Sequence, residues 1–376
     1  MVRSYLAVAG MTVAVLGLSG VVTNCGGSTV AATGGSTGTG GSAVMHAEPP
    51  PAPTTMTPGD GAGAVFAISK LYLGDTDFDG TPDKTNGWKN FGYDLDNSVS
   101  TATSTNLCMP ADGASKANVY PDGTNGIDNS FGKLILPIIL GIASDASSKI
   151  NASIAGGSFT IMLDMEKLGS SATYNPITTQ LFAGGNLGSA PKFDGTDAWP
   201  VLSTLLNDGM TIASGSKVSF PTSFVTNNVW VSGSKGNVEL DLSISGFTLA
   251  LTIANAVITL PLSSDHKTGT KGIIAGVLNT EELTTQLTMV AGSFDPSLCS
   301  GPTIMSIVDQ ITQASDIMAD GTQDPTKTCN GISIGIGFDA SLVQLGPVVQ
   351  PAAAKPNPCA TGGAGTGGGP ADAGTD

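Results

Sequence analysis

Between residues 238 and 253 apolar and polar side chains alternate. Val238, Leu240, Leu242 and Ile244 take turns with Glu239, Asp241, Ser243 and Ser245, and beyond Gly246 the pattern resumes through Phe247, Leu249, Leu251 and Ile253. Only extended backbone sends every second residue to the same face, so this stretch predicts a hairpin with one dry and one wet side. Shorter runs of the same kind lie at 158–165, 217–220, 228–231, 257–262, 272–278 and 332–338, separated by Gly, Ser, Asn and Asp. Repeated short strands with such punctuation predict a mainly β fold, an antiparallel β-sandwich or jelly roll, with a few amphipathic helices. Helical spacing of apolar residues predicts a helix over 302–319, between Pro302 and Gly321, and a shorter one over 281–290. Residues 131–150 are also apolar enough for a buried helix, which Pro137 should break or kink.

The two ends of the chain have a different composition. Arg3 is followed by an apolar run from Tyr5 to Val22, the pattern of an export signal over residues 1–24. Cys25, directly after it, resembles the lipid-attachment cysteine of bacterial lipoproteins; a plain signal peptide or a retained anchor are the alternatives. Residues 25–63 are Gly, Ser, Thr, Ala and Pro with few bulky side chains, and 347–376 end in ATGGAGTGGGPADAGTD. Such tracts bury too little apolar surface to offset their chain entropy, so they predict a lipid-anchored flexible linker and a disordered tail. The folded part then divides into 64–150, a calcium-loop and helical segment, and 151–346, the β-rich domain. With 15 basic against 30 acidic residues the net charge is −15, which excludes nucleic acid as a partner. The expected location is the outer membrane or cell surface, with the membrane reached through the lipid anchor only.

Residues 74–83, GDTDFDGTPD, carry the one specific motif. Asp75, Asp77, Asp79 and Asp83 are spaced so that alternate residues of a tight loop turn inward around a hard cation. Gly80 permits the turn, and Thr81 offers its carbonyl. The loop resembles the short aspartate loops of thrombospondin type 3 repeats and dockerin-like modules, which implies structural Ca2+. Asn86 stands where an EF-hand has its bidentate glutamate, so Asp94 and Asp96 are the candidates to complete the set. A looser cluster, Asp122, Asn125 and Asp128, is read either as a second cation site or as a helix-capping turn. Together with FGYDLD, DGTNGIDNS, FDGTDAWP and DGTQDP, these features resemble Gly-rich bacterial surface lipoproteins.

Once Cys25 is set aside, Cys108, Cys299, Cys329 and Cys359 form an even set, as expected of disulfides in an exported chain. Flanking the 302–319 helix, Cys299 and Cys329 are the expected first pair, leaving Cys108 for Cys359. Catalytic signatures are weak. GxSxG at 34–38 lies in the linker, SxxK at 214–217 and KTG at 267–269 lack their companion motif, and His46 and His266 sit in polar surroundings. The expectation is therefore a calcium-stabilised, non-enzymatic surface module that binds a glycan or surface protein or has a structural role. The alternatives are a carbohydrate-binding sandwich using Trp88, Tyr93, Trp199 and Trp230, or a secreted hydrolase using Asp164/Glu166 or Glu239/Asp241.

Overall fold

The computed structural model describes residues 45–351 and Cys359, apart from Ser234, Ser245, Gly246 and the side chains of residues 240–249, 293 and 294. The export signal, Cys25, the GxSxG sequence and most of the C-terminal tail lie outside the described residues.

The protein is mainly β, and among the described residues eleven strands join one mixed sheet. In chain order they are β1 (Ala64–Tyr72), β2 (Thr160–Met165), β3 (Thr179–Gly184), β4 (Ala198–Leu202), β5 (Ser219–Phe220), β6 (Phe224–Thr226), β7 (Val229–Val231), β8 (Gly236–Ile244), β9 (Phe247–Pro261), β10 (Thr268–Asn279) and β11 (Gly331–Val349). The expected sandwich is two sheets face to face, whereas here the pairings are continuous. They run β1-β2-β3-β4-β11 and return, because β11 also pairs with β1. The result is a closed ring of strands, antiparallel except where β4 meets β11. Ala67, Met162, Phe182, Trp199, Val201 and Val343, drawn from all five ring strands, form a core of their own. Their neighbours Phe66, Ile68, Ile161, Leu163 and Leu181 belong to the main core instead. Ring strands therefore bury both faces.

The long β11 leaves this ring to pair with β10, and the sheet continues through β9, β7 and β6, with β8 on β9. The expected hairpin is there, with Ile244 opposite Phe247 and Leu240 opposite Leu251. The runs 247–253 and 257–262 merge into one strand, β9, with Asn255 at a positive φ of 52° where the register slips.

Among the described residues five α-helices accompany the sheet: α1 (Lys116–Val119), α2 (Leu136–Ile142), α3 (Ala146–Ala155), α4 (Thr280–Phe294) and α5 (Pro302–Gln313). A π-helical turn, Phe131–Ile135, runs directly into α2 with Pro137 in its first turn, so the 131–150 segment breaks not at Pro137 but between Ile142 and Ala146, where it bends by 86°. The α3 residue Asn151 donates to Leu71 O (2.9 Å) and accepts from Leu71 N (2.8 Å), standing in for a strand neighbour on β1. Asn279 caps α4 by accepting from Glu281 N and Glu282 N at 3.0 and 3.1 Å. The helix expected over 302–319 stops at Gln313. Beyond it the backbone turns to the start of β11, with Asp316 N donating to Gly331 O (3.1 Å) and Gly331 N to Ile317 O (2.9 Å).

Two expected boundaries do not appear. Residues 64–150 and 151–346 share one sheet and one core, since β1 lies between β2 and β11. The end of the expected linker is bonded to the fold, through Thr57 N to Asn175 O (2.8 Å), Gly61 N to Lys167 O (3.0 Å) and Gly63 N to Leu168 O (3.1 Å).

The cysteine pairing is also corrected: the disulfides are Cys108–Cys329 and Cys299–Cys359, not Cys299–Cys329 and Cys108–Cys359. The backbone explains the exchange. Met109 N donates to Lys327 O (2.7 Å) and Cys329 N to Met109 O (2.9 Å), so the 107–110 segment lies along the chain leading into β11. This brings Cys108 to Cys329, and Cys299, just beyond α4, takes Cys359.

Candidate cation site

In FGYDLD, residues 91–96, aromatic and aliphatic side chains again occupy every second position. Phe91, Tyr93 and Leu95 pack with Tyr72, Ile273 and Ile317, which turns Asp94 and Asp96 the other way. The chain returns beside them after a turn at Asn125 and Gly126, where φ is 55° and 81°. There Asp128 N donates to Tyr93 O (3.0 Å), and Leu95 N donates to Asp128 Oδ2 (2.7 Å). Gly126 is required twice over, by its left-handed backbone and because a Cβ there would lie 2.8 Å from Asp94 Oδ2.

Oxygens of Asp94, Asp96 and Asp128 consequently lie within 4.8 Å of one another. That spacing suits a shared cation, since opposite oxygens bound to calcium at about 2.4 Å are about 4.8 Å apart. Asp94 and Asp128 are 7% and 4% exposed. Asp96 is half-buried, and its Oδ2 accepts from Gln323 Nε2 at 2.8 Å. The same nitrogen donates to Asp316 O (3.1 Å), while Gln323 Oε1 accepts from Cys108 N (2.8 Å). Gln323 thus links the acids to the disulfide-bonded segment. Asn129 fixes the other flank: its Nδ2 donates to Trp88 O, Phe91 O and Gly335 O, and its Oδ1 accepts from Gly132 N and Gly335 N.

Charge accumulates here. Burial pushes Asp96 and Asp128 up from the usual carboxylate range, Asp128 far up, and neighbouring acids add to both. Asp122 is pushed up to about 8 by burial and by the charges of Asp96, Asp316 and Asp94, against the pull of the Ser100 amide. Burial takes Asp316 to about 6, opposed by the amide and hydroxyl of Ser333 and by Lys133. Positive charge comes from Lys133, whose ammonium donates to Pro121 O at 2.7 Å, while the His46 imidazole hydrogen-bonds Asp94. Burial lowers Lys133. So many close carboxylates need protons or a cation between them, and an all-oxygen set of this kind suits a hard ion.

The structure thus joins two of the expected ligands, Asp94 and Asp96, to Asp128 from the looser cluster. Asp75, Asp77, Asp79 and Asp83 lie in a separate loop closed by Asp77 N to Thr81 O and Asp83 N to Asp75 O, both 2.9 Å. Asp77 Oδ1 accepts from Asp79 N (2.9 Å) and Thr81 N (2.8 Å). Phe78 pins the loop by packing against Phe91 and Tyr72, with ring centroids 4.5 and 5.4 Å away. Burial, the hydrogen bond to Asp339 and the charges of Asp339, Asp79 and Asp77 all raise Tyr72.

The other candidates separate clearly. Trp88, Trp199 and Trp230 are buried, and Tyr93 is half-buried with its hydroxyl on Thr259 (2.7 Å), so they form no exposed platform. Asp164 is pushed up to about 6 by burial and by Glu166, whose Oε1 accepts from Gln180 Nε2 (2.7 Å). Ser214 of the SxxK sequence donates to Thr211 O (2.7 Å) and Asp208 Oδ1 (2.9 Å) within a turn. His266, expected in water, is 5% exposed, with Nδ1 on Gly169 O (2.7 Å) and Nε2 on Asn228 Oδ1 (3.1 Å). His46, expected in the linker, sits against Asp94, where Ala47 N donates to Asn125 O and Asp94 N to Ala47 O, both at 2.8 Å. No protein-family model, curated protein or solved structure matches the chain.

Proposed function

We propose that the chain is an exported, lipid-anchored surface module without catalytic activity, its loops held together by one calcium ion at Asp94, Asp96 and Asp128. The observation that carries this reading is the convergence of these three carboxylates within 4.8 Å in a largely buried setting. Two disulfides support an oxidising compartment outside the cytoplasm. The sequence of the first 25 residues supports an anchor at Cys25, which labelling with a fatty-acid probe tests against Cys25→Ala.

Calorimetry with calcium and melting curves in EDTA and in millimolar calcium test the ion. Stabilisation reaches about 2.7 kcal/mol when free calcium is a hundredfold above Kd. Asp128→Asn is expected to abolish both binding and stabilisation, while Asp77→Ala with Asp79→Ala keeps them. The opposite pattern would move the ion to the Asp75–Asp83 loop with its Thr81 carbonyl. No heat and no shift in the wild type would end the calcium reading altogether. Magnesium is expected to substitute poorly, because it demands tighter octahedral geometry.

A further inference from the structure

Two of the three acids are held by nearby chain. Asp94 Oδ1 accepts from Ser98 N (3.0 Å) and its Oδ2 is hydrogen-bonded to His46, while Asp128 Oδ2 accepts from Leu95 N (2.7 Å). Asp96 is held differently. Its Oδ1 accepts from Ser98 N (2.9 Å), but its Oδ2 takes the side-chain amide of Gln323, 227 positions further along the chain. Asp128 is 4% exposed and its carboxylate accepts one described hydrogen bond, although an ionised carboxylate has room for about four. A carboxylate so buried and so sparsely bonded, within 4.8 Å of two others, lacks a partner that a cation would supply.

What places Gln323 is a disulfide. The loop between α5 and β11 exposes Thr322, Pro325, Thr326, Lys327 and Thr328, and its bonds are mostly local, such as Thr322 N to Asp320 Oδ1 and Thr326 N to Asp324 Oδ1. Gln323 reaches out of it. Its Oε1 accepts from Cys108 N (2.8 Å), the amide of a bridged cysteine. Met109 N to Lys327 O and Cys329 N to Met109 O seat the loop beside the same segment. The path from sulfur to acid is therefore short: Cys329 to Cys108 by the covalent bond, Cys108 N to Gln323 Oε1, and Gln323 Nε2 to Asp96 Oδ2. An amide is planar, so fixing its oxygen at Cys108 also fixes where its nitrogen meets Asp96. Cys299–Cys359, beyond α4, takes no part in this path.

We propose that the Cys108–Cys329 bond gates the cation site through Gln323, so that the oxidised chain holds calcium and the dithiol chain binds it weakly. The proposal rests on the calcium reading of Asp94, Asp96 and Asp128. The bond forms by thiol–disulfide exchange with a small-molecule or protein disulfide outside the cytoplasm. That disulfide takes two electrons and the two cysteine protons and leaves as two thiols. Cys108 is fully buried and Cys329 is 4% exposed, so the gate is set as the chain matures rather than toggled in the finished fold. Linkage makes it reciprocal: the factor by which oxidation tightens calcium is the factor by which calcium favours oxidation.

Calcium alone is titrated by calorimetry into the full chain carrying Cys25→Ala. Cys108→Ala with Cys329→Ala is expected to raise Kd about tenfold or more, the loss typical of a missing outer-shell partner, and Cys299→Ala with Cys359→Ala to leave it unchanged. Gln323→Met keeps both disulfides and should weaken binding by a similar factor. Combined with the Cys108 and Cys329 changes it should add little, because both break one path. Unchanged affinity in Gln323→Met, or full additivity of the two losses, overturns the proposal. A second measurement holds even where the paired cysteine variant does not fold. In glutathione buffers, the Cys299→Ala, Cys359→Ala chain should keep Cys108–Cys329 oxidised to a ratio of squared reduced to oxidised glutathione about tenfold higher in calcium than in EDTA. Coincident curves in calcium and EDTA also overturn it. A parent chain that binds no calcium ends the cation reading and the gate together, whereas a parent that binds leaves the variants to decide the gate alone.

Discussion

A carboxyl group that titrates near 8 makes stability depend on pH in the direction opposite to an ordinary surface aspartate. Asp122 is raised from 3.8 to about 8, so the folded chain binds this proton more tightly than the unfolded chain does. Its contribution is complete below about pH 4 and is lost as pH rises through about 8. In EDTA, the melting temperature is therefore expected to fall between those values. Asp122→Asn, which cannot ionise, should flatten the decline, and an equal slope in both proteins would count against the assignment. The sequence makes part of this site legible. In FGYDLD the alternation that packs Phe91, Tyr93 and Leu95 inward also aims Asp94 and Asp96 together, and that pattern is present in the residues themselves. Asp128 is not legible as their partner, because the contact depends on a turn at Gly126 and a return across some thirty residues. Nor is Gln323, which reaches Asp96 from the far end of the chain.

Among elements, the half-wet strands are the ones that alternation reveals. β8 and the first half of β9 are readable because polar and apolar residues alternate there, whereas β10 is buried without a break from Gly272 to Leu278. β1, β3 and β4 carry no such signal. In β1 the consecutive residues Phe66, Ala67 and Ile68 are all buried, Ala67 in the ring core and its neighbours in the main core. A strand covered on both sides loses its alternation and reads as a plain apolar run. The expected 302–319 helix is too long for a related reason: Ile317 and Met318 fall at helical spacing, but they are buried by strand and disulfide neighbours rather than by a helix. The ring makes its own prediction. Trp199 is fully buried in it and donates from Nε1 to Gly185 O at 2.7 Å. Trp199→Ala leaves a cavity where the strands close, and should cost about 3–5 kcal/mol in urea unfolding. A loss under about 1 kcal/mol, below the range for such truncations, would mean that the ring core contributes little to stability.

At the scale of the molecule, the two disulfides span very different lengths of chain, with sequence separations of 221 and 60. Loop-closure entropy grows with the logarithm of length, so removing Cys108–Cys329 should destabilise by about 5 kcal/mol and removing Cys299–Cys359 by about 4. Paired Cys→Ala variants compared by denaturant unfolding check that order, and a reversal would show that local packing outweighs chain entropy. The closed ring adds a consequence in time. A ribosome makes β1 about 280 residues ahead of its partner stretch in β11, yet they are neighbours, with Val65 opposite Val343. At about 5–20 residues per second, β1 waits on the order of 10–50 s for the strand that completes its pairing. Until then the ring stays open, so the order of synthesis, not the strength of the finished sheet, decides when the core around Trp199 can close.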